Sequence, residues 1–218
     1  MEQSEAMYKI NNLVKKIAQV HTDISKEWEN YSAVRKIELF NQKSKKVEDI
    51  EKYKLMPIIK EYTFFLSNHE KVTLFDDTDK EFTINSRVKN VNSIEEKYND
   101  YLNYREEQGK VSINKCFNDL FGIRAIIDCE DLSFDFLRRN LAYGYLSLEE
   151  KDEIHKKSYI TYRATHIYFK KDNKTFRWEL QIWRSSDEHS NQESHKNHRF
   201  KYKEWESQTK EANTTREE

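Results

Sequence analysis

The chain is poor in the residues that form tight turns or cross-links. It contains three glycines, one proline and two cysteines among 218 residues. A Walker A loop needs two glycines separated by four residues ahead of Lys and Ser or Thr, and a dinucleotide-binding loop needs three glycines close together. Both loops are therefore excluded, and a bound nucleotide would need side chains to hold its phosphates.

Long apolar runs and a large net charge are also missing. No run approaches the roughly 18 apolar residues that span a membrane, and two cysteines suit neither a disulfide scaffold nor a zinc site. We therefore expect a cytoplasmic protein without a membrane partner. With 38 Lys plus Arg against 39 Asp plus Glu, the formal net charge is -1. Any affinity for a polyanion must therefore come from a local cluster of charges.

Aromatic residues, in contrast, are abundant. The chain has 13 Tyr, 12 Phe and 4 Trp, which supply bulky core and argue against disorder. Residues 5–67 contain no glycine and carry apolar residues at helical spacing, which predicts two or three amphipathic helices. Between residues 9 and 46, nine basic residues face four acidic ones, so Lys15, Lys16, Lys45 and Lys46 are candidate RNA contacts. The alternative is a solvated helix face.

The second half of the chain alternates strand and helix patterns. We predict strands at 82–84, 122–128, 164–170 and 175–183, the last two forming a hairpin. Helices are predicted from Ser93 to residue 104, over 132–141 and over 187–206. In the last strand, Trp178 and Leu180 point to one face, whereas Glu179 and Gln181 point to the other.

Three groups of residues carry candidate chemistry. Arg87, Lys89 and Lys97, with Ser93 between them, place three cations within reach of one polyphosphate; the alternative is an exposed face. Asp119, just ahead of a buried strand, and Glu179, inside a strand, would together hold Mg²⁺ and accept a proton.

Each carboxylate also has an ordinary structural interpretation. Asp119 is compatible with a turn, and Glu179 with a half-exposed sheet face and a salt bridge to Arg177 or Lys170. The third group is Tyr162, which offers a stacking plane for a base, and His166, which offers a phosphate donor. Sheet packing is the alternative for both.

In chain order, four motifs resemble the synthetase domain of the RelA/SpoT family: Ser86-Arg87-Val88-Lys89-Asn90 with Ser93 and Lys97, Asp119-Leu120-Phe121-Gly122-Ile123-Arg124, Tyr162-Arg163-Ala164-Thr165-His166, and Glu179-Leu180-Gln181-Ile182. The resemblance implies an α/β (α+β) fold, with a mixed, nucleotidyltransferase-like sheet flanked by helices. It also implies transfer of the β,γ-pyrophosphate of ATP to a 3′-hydroxyl, with release of AMP. We expect an N-terminal helical extension over 1–70 and the synthetase domain over 71–218.

The resemblance also implies roles at the matching positions. Arg87 and Arg124 would enclose the adenine, while Lys89, Ser93 and Lys97 would complete the ATP site. Asp119 and Glu179 would bind Mg²⁺, with Glu179 as the second ligand or the base. The acceptor side would comprise Tyr162 stacked on the base, His166 on phosphates, Gln181 and His198.

Two departures from the family pattern bear on the acceptor. Guanine-using members commonly carry Asn-Gly before the acceptor tyrosine, whereas this chain has Ile160-Thr161, and Trp183 stands where the family has arginine. Glu-Leu-Gln-Ile-Trp followed by a His-rich helix resembles the toxic small alarmone synthetases, several of which modify the 3′-terminal adenosine of tRNA and are held in check by an antitoxin. The alternatives are GDP or GTP as acceptor, because Tyr162 is intact, and an inactive nucleotide-binding module.

Overall fold

The computed structural model describes residues 1–31, 45–73, 75, 77–78, 81–103, 105, 108–141, 147–154 and 161–197. Its helices are α1 (Gln3–Tyr31), α2 (Lys52–Ser67), α3 (Glu70–Thr73), α4 (Val91–Asn103), α5 (Ile113–Cys116), α6 (Phe134–Asn140) and α7 (188–197). Its strands are β1 (Asp77–Thr78), β2 (Phe82–Val88), β3 (Phe121–Ile127), β4 (Ser147–Ile154), β5 (Thr161–Phe169) and β6 (Trp178–Arg184).

The strands form one mixed sheet. They lie in the order β1, β2, β3, β6, β5, β4. The two central strands, β3 and β6, are parallel, and every other neighbouring pair is antiparallel. The expected fold class, a mixed sheet flanked by helices, is confirmed.

The sheet has one apolar and one polar face because its central strands alternate. In β3, Phe121, Ile123 and Ala125 are buried on one face, while Gly122 and Arg124 point to the other. The register places Gly122 beside Glu179 and Arg124 beside Gln181. Polar side chains of neighbouring strands therefore share one face, as the alternation of the last predicted strand indicates.

The apolar face packs against α1 and α2. On α1 the buried side chains recur at helical spacing, as at Ile10, Leu13 and Ile17. The indole N–H of Trp178 in β6 donates to the hydroxyl of Tyr62 in α2 over 2.9 Å. One continuous core therefore joins the N-terminal helices to the sheet, and the division of the chain at residue 70 stays a prediction.

Several element boundaries differ from those predicted. Strand β2 continues to Val88, so Arg87 lies within it, and β4 was not predicted at all. Helix α4 begins at Val91 rather than after Ser93, because the Asn90 side chain accepts from the backbone N–H of Asn92 over 2.8 Å. Ser93 therefore lies inside the first turn.

At the far end, α7 is described to residue 197, so the predicted helical residues 198–206 lie outside the described residues. Within the described ranges, no helix has both the length and the apolar character needed to cross a membrane.

His21 is a buried ionisable group in the core beneath the sheet. Its Nε2–H donates to the carbonyl oxygen of Phe176 over 2.8 Å, and its ring lies edge-on to Trp178 at 5.1 Å. Burial lowers the pKa of His21 from 6.5 to about 4, although the hydrogen bond to Phe176 opposes that change. The folded protein therefore holds this imidazole neutral.

This burial predicts an acid-sensitive stability. Below about pH 6.5 the unfolded chain takes up a proton at His21 while the folded chain does not, so the free energy of unfolding falls as the pH falls towards about 4. We expect His21 alone to account for about 2 kcal/mol of loss between about pH 7.5 and about pH 5. Urea unfolding across this range measures it.

The matched variant His21→Gln keeps an N–H donor for Phe176 but does not titrate. Between about pH 7.5 and about pH 5, the free energy of unfolding of this variant should therefore fall by about 2 kcal/mol less than that of the wild-type chain. Equal losses in the two proteins would show that His21 is not the group responsible.

Candidate active site

The candidate site lies on the polar face, where β2, β3, β6 and β5 run side by side. Backbone register places Arg87 beside Gly122, Gly122 beside Glu179, and Glu179 beside Tyr168. The next row across the sheet is Asn85, Arg124, Gln181 and His166. Two arginines, a carboxylate, two amides and an imidazole thus share one surface.

Gly122 leaves open space at the centre of this surface. A Cβ atom built on Gly122 would meet no heavy atom within 4 Å. Because its neighbours in the sheet are Arg87 and Glu179, the space lies between a cation and a carboxylate.

Asp119 is held by two lysines just ahead of β3. Its carboxylate forms ion pairs with Nζ of Lys89 and, at 2.9 Å, with Nζ of Lys97, which also donates to Oδ1 of Asn118 over 2.9 Å. Burial alone would raise the pKa of Asp119, but the two ammonium groups outweigh it, so that the pKa lies well below its usual range. Asp119 is therefore a carboxylate at neutral pH.

The two lysines differ in their response to this environment. Burial lowers the pKa of Lys89 even though Asp119 opposes it, whereas for Lys97 the attraction of Asp119 exceeds the effect of burial and raises the pKa. Lys97 is thus the more firmly charged partner of the two.

Glu179 is the centre of a buried hydrogen-bond network. Its Oε1 lies 2.7 Å from Nδ1 of His166, and its Oε2 accepts from Nε2 of Gln181 over 2.7 Å. Nε2 of His166 lies 3.0 Å from the hydroxyl of Tyr162. Burial would raise the pKa of Glu179, but the hydrogen bonds and charge of its neighbours, His166 first, lower it on balance.

The two carboxylates lie at the same edge of the sheet. Asp119 precedes β3 by two residues, and Glu179 is paired with the second residue of that strand. The charge of Asp119 acts on Glu179 and opposes the lowering of its pKa. The two carboxylates therefore lie close enough for their charges to interact, and their joint role stays a prediction.

Arg124 connects this site to Trp183 and His195, whose stacked rings we call the aromatic column. Its guanidinium carbon lies 3.6 Å from the ring centre of Trp183, and its Nη2 lies 3.5 Å from Oε1 of Gln181. Burial, followed by the charge of Arg87, lowers the pKa of Arg124 to about 10. The ring of His195 from α7 stacks on Trp183 with centroids 5.6 Å apart.

Sequence reasoning did not select Trp183 or His195 as site residues. Trp183 has the same strand parity as Glu179 and Gln181, so alternation alone could have placed it on this face. His195 had no such signal, because its position depends on how α7 returns to the sheet. The side-chain amide of the buried Asn191 fixes that return, bonding both the backbone N–H and the C=O of Arg163 over 2.7 Å.

The remaining candidates are spread more widely. Ser93 lies in the first turn of α4, and His198 lies outside the described residues. Lys15 and Lys16 are exposed on α1, behind the apolar face and thus on the side of the sheet away from Glu179. Lys45 and Lys46 lie beside the start of α5, where the carbonyl of Lys45 accepts from Ile113 over 3.1 Å. The four lysines therefore form two separate pairs.

A family model described as a region found in RelA/SpoT proteins matches residues 86–207, which is more than half of the chain. The chain belongs to the RelA/SpoT family. It is a pyrophosphokinase of the RelA/SpoT type, the enzyme class that its four motifs led us to expect.

Solved structures similar to this RelA/SpoT chain include small alarmone synthetase 1 from Bacillus subtilis, at 19% identity and a TM-score of 0.37, covering 67% of this chain and 76% of that one. The same protein bound to its product pppGpp gives 18%, a TM-score of 0.38, and coverage of 66% and 76%. A GTP pyrophosphokinase family protein from Streptococcus pneumoniae gives 20%, a TM-score of 0.39, and coverage of 68% and 73%. No match was found among the curated proteins.

The carboxylate pair of this RelA/SpoT chain suits a hard divalent cation. Mg²⁺ is usually bound through one or two carboxylates together with substrate phosphates rather than by a complete protein cage. Asp119 and Glu179 supply that donor set. Among the described residues no group of three or more His, Cys, Asp or Glu side chains forms a metal cage, so a substrate would have to contribute the other ligands.

The double ion pair of Asp119 predicts a strong effect on stability. In Asp119→Asn the charge that balances Lys89 and Lys97 is lost, which leaves two partly buried ammonium groups repelling each other. Removing one partner of a buried ion pair costs about 3–5 kcal/mol, and we expect about 3 kcal/mol because these side chains retain 16 to 22% exposure. Denaturant unfolding measures the loss.

The double variant Asp119→Asn with Lys89→Met provides the control. It removes one of the two unbalanced cations and should recover part of the lost stability. If Asp119→Asn unfolded at the wild-type denaturant concentration, the ion pairs would contribute nothing to the fold.

Proposed function

We propose that this protein transfers the β,γ-pyrophosphate of ATP to a 3′-hydroxyl group and releases AMP, with Glu179 as the general base. The observation that carries the proposal is the setting of Glu179. Its carboxylate is buried, kept ionised by His166 and Gln181, and adjacent to the open space over Gly122. A base of this kind can accept a proton from a hydroxyl that enters that space.

The donor half of the site binds ATP through side chains. Arg87 and Arg124 lie on the same face of adjacent strands, because Arg87 is paired with Gly122, two residues before Arg124. Their guanidinium planes suit an adenine ring. Lys89 and Lys97, with Ser93 in the adjoining helix turn, lie beside Asp119 and supply cations for the phosphates. This arrangement replaces the glycine loop that the chain lacks.

Nucleotide binding requires an exchange of partners at Asp119. The phosphates of ATP compete with Asp119 for the ammonium groups of Lys89 and Lys97, which frees the carboxylate. Asp119 and Glu179 would then hold Mg²⁺. When bound, this ion neutralises charge on the transferring phosphoryl groups.

Glu179 accepts the proton of the acceptor hydroxyl. The 3′-oxygen forms a bond to the β-phosphorus as the bond from that phosphorus to the α,β-bridging oxygen breaks, and AMP leaves with that oxygen. The hydrogen bonds from His166 and Gln181 fix the carboxylate in one orientation. Positioning a base in this way contributes roughly 10² to 10⁴-fold to the rate of proton transfer reactions.

For the acceptor we favour the 3′-terminal adenosine of tRNA, which would make the protein a translation-inhibiting toxin of the cytoplasm, restrained by an antitoxin. The support is Ile160 in place of the asparagine of guanine-using members, and Trp183 in the Glu-Leu-Gln-Ile-Trp motif. A lost amide removes a hydrogen-bonding group that discriminates between purine edges. The alternative acceptor is GDP or GTP, supported by the intact Tyr162.

A labelling experiment tests reaction and acceptor together. The protein is incubated with Mg²⁺ and ATP labelled at the γ position, in parallel with tRNA, GDP, GTP or no acceptor. We expect label at the 3′ end of tRNA and none after chelation of the metal. Label on GDP or GTP alone would select the alarmone alternative, and no transfer to any of these acceptors would contradict the proposed reaction.

The matched control is Glu179→Gln, which preserves side-chain shape but cannot accept a proton. We expect transfer to fall at least about 10²-fold while the labelled nucleotide is still bound. Wild-type transfer rates in this variant would eliminate Glu179 as the base.

The two lysine pairs predict different effects on tRNA. Lys45 and Lys46 lie near the loop that leads to Asp119, whereas Lys15 and Lys16 lie behind the sheet. If the bound tRNA covers the site, Lys45→Glu with Lys46→Glu should weaken tRNA labelling more than Lys15→Glu with Lys16→Glu. Because phosphate contacts release counterions, the defect should be larger at low salt than at high salt.

Labelling at increasing KCl concentrations measures both defects, and ATP binding serves as the control that should not change. Equal labelling by the two charge-reversed proteins and the wild type at every salt concentration would remove all four lysines from the tRNA contact.

A further inference from the structure

On the polar face, Trp183 contacts two other flat side chains, those of Arg124 and His195, and forms the aromatic column with His195. The guanidinium of Arg124 covers one side of the indole at 3.6 Å from the ring centre. The ring of His195 stacks on Trp183 with centroids 5.6 Å apart and planes inclined by 23°. Trp183 is fully buried, so this column is shielded from water.

The indole of Trp183 also contacts Tyr162, the residue that the family resemblance assigns to the acceptor base. The ring of Tyr162 lies edge-on to Trp183 at 6.2 Å and edge-on to His195 at 5.3 Å. Tyr162 and Trp183 make a small apolar cluster with Ala164 on the otherwise polar face. Trp183 thus contacts both Arg124 and Tyr162.

We propose that Trp183 is a positioning residue that acts through Arg124, holding its guanidinium plane in the orientation in which it stacks on the purine of the phosphate donor. The inference rests on the proposed function and adds a residue whose role lies in nucleotide binding. A guanidinium has two faces. Trp183 covers one of them, and in this proposal the base of the phosphate donor stacks on the other.

The chemistry of Arg124 and Trp183 favours a positioning role over a purely space-filling one. Nε of Arg124 and Nε1 of Trp183 are both buried, and neither has a hydrogen-bond partner within the described ranges. A buried donor without a partner is costly, so an indole is an expensive choice for filling space. Its advantage is the electron-rich face it presents to a cation that has lost its water, where cation–π attraction is strongest.

The test is the affinity for a non-hydrolysable ATP analogue, measured by calorimetry in the absence of any acceptor. Trp183→Leu removes the aromatic face and should weaken binding roughly 5 to 30-fold. Trp183→Phe keeps an aromatic face and should lose less than about 3-fold. Trp28→Leu, which removes a buried indole from α1 away from the site, should bind as the wild type does.

A double-mutant cycle shows whether the effect passes through Arg124. In an Arg124→Gln background, Trp183→Leu should cause little further loss of affinity, because the guanidinium plane that Trp183 orients is no longer present. An equal loss in both backgrounds, or unchanged binding by folded Trp183→Leu, would overturn the positioning role.

A spectroscopic measurement covers the case in which Trp183→Leu does not fold. In the wild-type chain the Nε–H proton of Arg124 should resonate upfield of the other arginines because it lies over the indole ring, and Trp183→Phe should reduce that shift. Absence of the shift would overturn the inference. If the wild type showed the shift but did not bind the analogue, the proposed function would fail instead.

Discussion

Parallel pairing of β3 with β6 is the constraint on which the site depends. Two strands that run in the same direction begin at the same edge of the sheet, so Asp119 before one and Glu179 within the other are brought to one place. An antiparallel pair would have put them at opposite ends. Gly122 completes the arrangement, because the position beside Glu179 carries no side chain to fill the space between them.

The two buried carboxylates, Asp119 and Glu179, are both compensated by neighbouring side chains. Asp119 is balanced by two ammonium groups, and Glu179 is surrounded by hydrogen-bond donors rather than cations. Both carboxylates therefore remain ionised in a setting that would otherwise favour protonation. The same fold holds one carboxylate chiefly by ion pairs and the other chiefly by hydrogen bonds.

Local sequence patterns were sufficient for elements with a clear period. The buried strand around residues 122–128 and the face of Glu179 follow from alternation, and the N-terminal helices follow from apolar spacing. Strand β4 was missed because its sequence SLEEKDEI is largely polar and has no apolar period. The start of α4 was displaced because two residues, Asn90 and Ser93, were both suitable caps, and only the fold selects between them.

Long-range pairings could not be obtained in this way. Lys89 and Lys97 are 30 and 22 residues from Asp119, and nothing local indicates that they pair with it. For the same reason the sequence did not connect His195 with Trp183. That contact exists because Asn191 recognises only main-chain atoms of Arg163. These two hydrogen bonds therefore hold α7 through the backbone at position 163, and proline, which has no N–H to offer, is the residue that would remove one of them.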